Sequence, residues 1–309
     1  MLLHVLVSAA LAAMPPQDTD TTFAVRAGQR LNVSNYAGDI VIRTWRRDLV
    51  RVRADDERED PVRIETVGSD VRIRTAGWAA VADEFDVVRT ETGLERRGRR
   101  SRDIPSVTYE ITVPEAMALV LGGPETDVTV EGTRGEVTVK VSEGDIEVHG
   151  GGGRISLASV EGDISLYDAD GEVKLFTLDG DVTAERVTGR ITAEATDGEI
   201  SLDGVRCTEV EATTTDGDID FTGPIDPRGT YRFASHDGDV RLEVPPGTGA
   251  RLTIATWEGD VSSDFPMTIP KHFSGRRLTF TIGSGEGEVS VETFSGDIDI
   301  RMAERRSDF

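Results

Sequence analysis

The chain has 309 residues, of which 33 are Gly, 37% are hydrophobic and 6% are aromatic. Long helices tolerate that much glycine poorly, and so few aromatic residues exclude a large aromatic core. Asp and Glu number 57 against 34 Lys and Arg, a formal charge of −23. A surface that acidic repels phosphate backbones and anionic membranes, which argues against a nucleic-acid-binding protein. The lone Cys207 excludes an internal disulfide and offers no zinc-ligand set.

Taken in chain order, residues 1–13 come first. Leu2 to Ala13 is an apolar run ending in Ala10-Leu11-Ala12, and it reads as a short secretory signal peptide without the usual basic start. The run is too short to span a bilayer as a helix, and no other segment reaches eighteen consecutive apolar residues, so a mature chain without a transmembrane segment is expected. Residues 22–121 read as an irregular β region. Its expected strands are Phe23–Val25, Leu31–Val33, Ile40–Thr44, Val50–Ala54, Val62–Thr66, Val71–Arg74, Val107–Val113 and Leu119–Leu121. Residues 76–105 break this pattern and hold the basic run Glu95 to Arg102; they are expected to form an exposed loop.

From residue 122 to 303 the sequence repeats. Gly135, Gly144, Gly153, Gly162, Gly171, Gly180, Gly189 and Gly198 follow one another in steps of nine. Later steps are longer, so the period survives with insertions. Each Gly is followed by a short alternation such as Ile155-Ser-Leu157 or Ile164-Ser-Leu166, which places one apolar face inward along a strand. A nine-residue unit is therefore one strand and one corner, and it cannot bury its apolar face without a stacked copy. The corners alternate in type: Glu-Gly144-Asp-Ile, Glu-Gly162-Asp-Ile and Asp-Gly180-Asp-Val on one edge, Gly153-Arg, Gly171-Glu and Gly189-Arg on the other. The expected fold is all-β, a parallel β-solenoid resembling a β-helix, with about 18 residues and two strands per coil. Residues 304–309 are left as a polar tail. Charge follows the same division: 122–303 hold 36 Asp and Glu against 15 Lys and Arg.

The leader, Ser34-Asn-Tyr-Ala-Gly-Asp-Ile-Val-Ile42, Trp45 followed by Val50-Arg-Val52, Tyr109-Glu-Ile-Thr-Val-Pro114, and Gly-Asp-Ile coils ending in Ser295-Gly-Asp-Ile-Asp-Ile-Arg301 together resemble the bacterial putative-adhesin family of β-strand-repeat proteins, over about 30 to 303. The resemblance implies the architecture. It brings no catalytic residues, since "adhesin" in that family is a label by analogy.

Ser159, Thr177, Thr214, Ser235, Thr256 and Thr293 each sit three residues before a corner Gly. They are expected to satisfy corner backbone groups rather than to act as nucleophiles. The acidic edge carries one column of Glu143, Glu161, Asp179, Asp197, Asp216, Asp237 and Glu258. A second column holds Asp145, Asp163, Asp181, Glu199, Asp218, Asp239 and Asp260. Two readings of the second column stay open. Its carboxylates bond corner amides, as turn residues do, or they hold a divalent cation such as Ca²⁺ through oxygen ligands. His236, Trp257 and Phe294 precede the acid at the C-terminal corners and are candidate contacts for a sugar ring or another partner. Carboxylates recur in every coil and the histidines are scattered, so no acid–base pair stands out. The expected function is an exported, non-enzymatic structural or adhesion module at the cell envelope, meeting a protein or carbohydrate of the cell surface. The alternatives are a carbohydrate lyase or hydrolase using the loops after Gly223, Lys271, His272, Arg276 and Arg277 among them, and a cytoplasmic scaffold if the leader is retained.

Overall fold

A computed structural model describes residues 19–56, 62–75, 88–90, 93–95, 106–266 and 277–303. The expected signal peptide, most of the loop 76–105 with its basic run, Lys271, His272, Arg276 and the tail 304–309 lie outside the described residues. All eight strands expected in the N-terminal region are present. The boundary expected near residue 121 falls inside one continuous strand, Ala118–Thr133, so the solenoid does not begin there.

The chain winds as two-stranded coils whose strands pair in parallel with the same strands of the neighbouring coils. Ile155 pairs with Val173 and Val173 with Ile191 on one face. Ile164 pairs with Val182 and Val182 with Ile200 on the other. Inward positions alternate with outward ones along the coil strands, as in Ile164–Tyr167 and Asp170–Phe176, because a β backbone points successive side chains to opposite faces; Ile254, Ala255 and Thr256, all buried, interrupt the alternation in Ala250–Glu258. The two inner faces close on a single thin core. Ala184, Ala193 and Ala212 keep it narrow in the middle. Farther along, Phe221 and Phe233 fill it, with ring centroids 5.2 Å apart. Tyr231 is buried beside them and donates its hydroxyl to the Cys207 carbonyl at 2.7 Å. Cys207 is itself buried, and loss of water pushes its thiol up to about 12, so it is an inert core residue.

The corner glycines form the column that the nine-residue step implies. Gly180 has φ +141°, and a Cβ there would run into the carbonyl oxygen of Gly162 in the coil beneath; Gly162 stands in the same relation to Gly144. Only glycine has both the backbone freedom and the missing atom that this contact requires.

Coil order departs from chain order at both ends. Coils stacked in chain order would place 250–263 on 230–244 and 287–302 on 250–263. Instead the last coil, 287–302, lies between the coils 230–244 and 250–263. Asp237 pairs with Ser295, and Ser295 in turn with Glu258. Ile298 likewise lies between Val240 and Val261. The glycine column there runs Gly217, Gly238, Gly296, Gly259. Gly287, which shares the Gly-acid-Val pattern, lies at the start of the strand Gly287–Ser295 and not in this column. The N-terminal end has the same arrangement. Strands Arg30–Ser34 and Ala37–Trp45 lie between Ala118–Thr133 and an outer coil made of Asp70–Thr75 and Val107–Pro114.

Both ends are then closed by antiparallel strands. Val62–Val67 covers Asp70–Thr75, Leu49–Asp56 covers Val107–Pro114, and Leu278–Ile282 covers part of Ala250–Glu258. Interleaving puts the first and last coils of the chain under a neighbour. Each then has hydrogen bonds on two sides, where an end coil would have them on one.

Candidate functional site

The acidic edge is built from three repeating positions. The first is the buried hydroxyl. Ser159 Oγ donates to Gly144 O at 3.1 Å, Thr177 Oγ1 to Gly162 O at 3.1 Å, and Thr214 Oγ1 to Gly198 O at 3.1 Å. Ser235, Thr293 and Thr256 repeat the bond to Gly217, Gly238 and Gly296. These hydroxyls tie each coil to the glycine of the coil beneath it, as their recurrence leads one to expect.

The second position is the acid after the glycine. The Asp163 amide donates to Asp145 Oδ1 at 2.9 Å, the Asp181 amide to Asp163 Oδ1 at 2.8 Å, and the Glu199 amide to Asp181 Oδ1 at 2.8 Å. Beyond it the Asp239 amide donates to Asp218, that of Asp297 to Asp239 and that of Asp260 to Asp297, each at 2.8 Å. One oxygen of each accepting carboxylate is thus engaged with backbone, which is the first of the two readings of this column. Charge-assisted bonds of this kind offset the repulsion between neighbouring carboxylates. Arg241 adds a local counter-charge, reaching Asp218 at 3.1 Å, Asp220 at 3.7 Å and Asp239 at 3.0 Å. Asp145, Asp163, Asp181, Glu199, Asp218, Asp239 and Asp260 lie along the rod, one per coil, and do not gather round a point. Among the described residues no three His, Cys, Asp or Glu side chains are grouped as a metal ion would require.

One coil breaks both ladders. Ala195 replaces the hydroxyl, and Glu199 replaces the aspartate. Burial pushes the Glu199 carboxyl above the usual range, with Asp220, Asp181 and Asp218 adding to the shift. An acid with a raised folded value lowers stability while it is ionised, and the loss is relieved as pH falls through that raised value. Glu199→Gln is therefore expected to raise the urea midpoint at neutral pH and to shrink the stability gain that this carboxyl contributes on mild acidification. A midpoint unchanged at every pH would contradict it. Ala195→Thr is expected to restore the bond to Gly180 O and add about 1 kcal/mol, read from the same denaturation curves.

The third position, two residues before the glycine, faces solvent. In spatial order it reads Val160, Leu178, Thr196, Thr215, His236, Phe294, Trp257. Val160 and Leu178 are 42% and 45% exposed, Phe294 and Trp257 44% and 54%. Interleaving brings the three rings together. His236 stacks on Phe294 with centroids 5.0 Å apart and planes 23° apart, and Trp257 stacks on the far side of Phe294 at 6.0 Å and 21°. The residues singled out from sequence as binding candidates therefore form one ladder. Its order could not be read from the chain, where Trp257 precedes Phe294.

The opposite edge is balanced. Arg154, Glu172, Arg190 and Glu209 stand in register. Glu172 turns to Lys174 at 3.7 Å, and Arg190 pairs with Glu209 at 3.7 Å. Asp168 and Arg186 occupy the positive-φ corner position of this edge, and the Arg186 guanidinium holds the Asp168 carboxyl below its usual range. An open cleft of about 550 Å³ lies here, lined by Arg134, His149, Asp168, Asp170 and the run Gly150–Gly152. Sequence reasoning missed it, although the four consecutive glycines 150–153 were its signal, since a corner without side chains leaves a notch one coil deep. Its polar groups are already engaged: Asp168 with Arg186, Asp170 with Thr188, His149 with Glu147.

Fold and edge together define an interleaved β-solenoid of Gly-acid-Ile coils. The chain matches the Toastrack DUF4097 family over residues 29–301 and belongs to it. The chain is also similar to three solved structures. A "putative adhesin" of Bacteroides fragilis is 11% identical, covering 94% of this chain and 100% of its own, with a TM-score of 0.39. A "putative cell adhesion protein" of Clostridium sporogenes is 12% identical, covering 93% and 100%, with a TM-score of 0.23. A "putative lipid binding protein" of Parabacteroides distasonis is 10% identical, covering 92% and 97%, with a TM-score of 0.39. No curated protein matches. No helix among the described residues is long and apolar enough to cross a membrane.

Proposed function

We propose that the chain is an exported, non-enzymatic structural or adhesion module of the cell envelope, a rod that presents one acidic, ring-bearing edge to a surface partner. The observation that carries this reading is the uniformity of that edge. Hydroxyls and carboxylates of the kinds that enzymes use for catalysis are engaged, coil after coil, in bonds to neighbouring backbone. A group held by its neighbours in coil after coil serves the stack, and the one coil that departs from the pattern has Ala195 in place of the hydroxyl and so pairs no nucleophile with its carboxylate Glu199. The exposed ring ladder is the second departure from uniformity on the edge, and it suits contact rather than chemistry.

The purified mature chain is expected to sediment with envelope fractions and to leave a panel of polysaccharides intact. Turnover of a polysaccharide that is lost on changing one loop carboxylate would replace this reading with that of a carbohydrate-active enzyme. N-terminal sequencing of the chain recovered from cells is expected to start near Met14, and an intact Met1 would remove export from the proposal.

A further inference from the structure

The exposed strip that flanks the acidic column before the glycine has the dimensions and charge to hold one class of partner. Every coil of the strip but that of Phe294, where Ser295 follows, places an exposed position beside a carboxylate on the same corner: Leu178 beside Asp179, His236 beside Asp237, Trp257 beside Glu258. Lys and Arg side chains have this amphipathic form themselves, an aliphatic stem with a charged head. Among the described residues Arg241 is the one cation that forms ion pairs with the column after the glycine, and the column before it has none. Over residues 122–303 acids exceed bases by 36 to 15. The edge is thus a long negative strip with apolar side chains set into it and little internal compensation.

The ring ladder leaves one ring face for a partner, and the carboxylates beside that face favour a cation over a neutral sugar. A pyranose stacks on the open face of an aromatic ring, but here Phe294 is covered on both faces, by His236 and by Trp257. Trp257 stands in the last coil of the stack, so its second face turns away from the ladder. One indole face beside Glu258 and Asp260 matches a guanidinium, which binds ring faces and carboxylates together. The chain contains the same contact elsewhere, with the Arg47 guanidinium 5.4 Å over the Trp45 ring.

We infer that the strip from Val160 to Trp257 is a docking surface for an extended Arg- and Lys-rich polypeptide segment, with an arginine of that partner stacked on Trp257. The inference rests on the binding-module reading and names the chemistry of its partner. Seven coils at about 4.8 Å give a strip of about 29 Å, which an extended peptide of about nine residues would follow.

The test is titration of the full chain with fluorescently labelled nona-arginine, nona-lysine and nona-glutamate. Nona-arginine is expected to bind more tightly than nona-lysine, and nona-glutamate not at all, with affinity falling as salt rises. Trp257→Ala/Phe294→Ala changes two exposed side chains and is expected to weaken nona-arginine binding about tenfold while the melting curve stays near that of the parent. Glu172→Gln/Glu209→Gln removes two charges from the opposite edge and is expected to leave binding within about twofold. Equal losses from both double variants would show charge attraction without a site and overturn the inference. So would unchanged binding by Trp257→Ala/Phe294→Ala, or a neutral oligosaccharide that displaces nona-arginine from the strip. The two proposals fail separately. Envelope binding that survives Trp257→Ala/Phe294→Ala removes the docking strip and keeps the adhesion module. Nona-arginine binding that is sensitive to this variant, without envelope binding, keeps the strip and removes the module.

Discussion

Gly180→Ala is expected to destabilise the protein by about 3 kcal/mol or more, while Gly247→Ala costs about 1 kcal/mol, both read from urea midpoints. Both glycines have positive φ, +141° at Gly180 and +92° at Gly247, so both substitutions meet backbone strain. They differ in what surrounds the new methyl. At Gly247 nothing lies within 4 Å, whereas at Gly180 the methyl would meet the backbone carbonyl of Gly162. That carbonyl accepts the Thr177 hydroxyl at 3.1 Å and belongs to a coil held from both sides. It cannot withdraw without breaking bonds of its own. Unfolding of stacked repeats is not strictly two-state, so hydrogen exchange over the coils containing Gly162, Gly180 and Gly198 gives a second readout. The loss of protection is expected to centre on those coils. Equal costs at the two glycines would show that backbone conformation alone sets the requirement, and that the coils are less closely stacked than described.

Asp237→Cys with Ser295→Cys is expected to form a disulfide under mild oxidation, and Asp237→Cys with Glu258→Cys is not. Residues 237 and 295 are direct partners on adjacent parallel strands, at a separation of about 4.8 Å that a disulfide spans. Residues 237 and 258 have the coil 287–302 between them, which puts them about 10 Å apart, beyond its reach. Stacking in chain order would reverse both results. The bridge would close a loop of about sixty residues, worth about 4 kcal/mol in chain entropy if the geometry is unstrained. Cys207 does not interfere, being buried with its thiol pushed up to about 12. Non-reducing gel mobility identifies the bridge, and the urea midpoint with and without reductant measures its effect.

Much of the fold and part of the edge were legible in the residues. The nine-residue glycine step and the Ile-Ser-Leu alternation require two strands and two corners per coil. A period-two strand buries alternate residues, and a tight corner approached by another coil needs glycine. The hydroxyl column followed from its phase, three residues before each glycine, and the structure shows its bonds in every coil that has a Ser or Thr there. For the aspartates the sequence left two readings, because a carboxylate in a column suits an amide and a cation equally well. The bonds from Asp163, Asp181 and Glu199 amides identify the backbone partner. The cleft beside Gly150–Gly152 had only a run of glycines as its signal, since its wall residues come from three successive coils.

By itself, then, the sequence determined the unit: how long a coil is, which side chains point inward, and why its corners are glycine flanked by acid. These are local properties, set by backbone geometry within a few residues. Only the tertiary structure decided which coil lies on which. A Gly-Asp-Ile corner presents nearly the same hydrogen-bonding edge in every coil, so Gly296 could rest on Gly238 or on Gly259 as far as local chemistry is concerned. Long-range pairing resolved that choice by tucking the first and last coils inward and covering the outer ones with antiparallel strands. The ladder of His236, Phe294 and Trp257 exists because of that choice, and not because of any spacing along the chain.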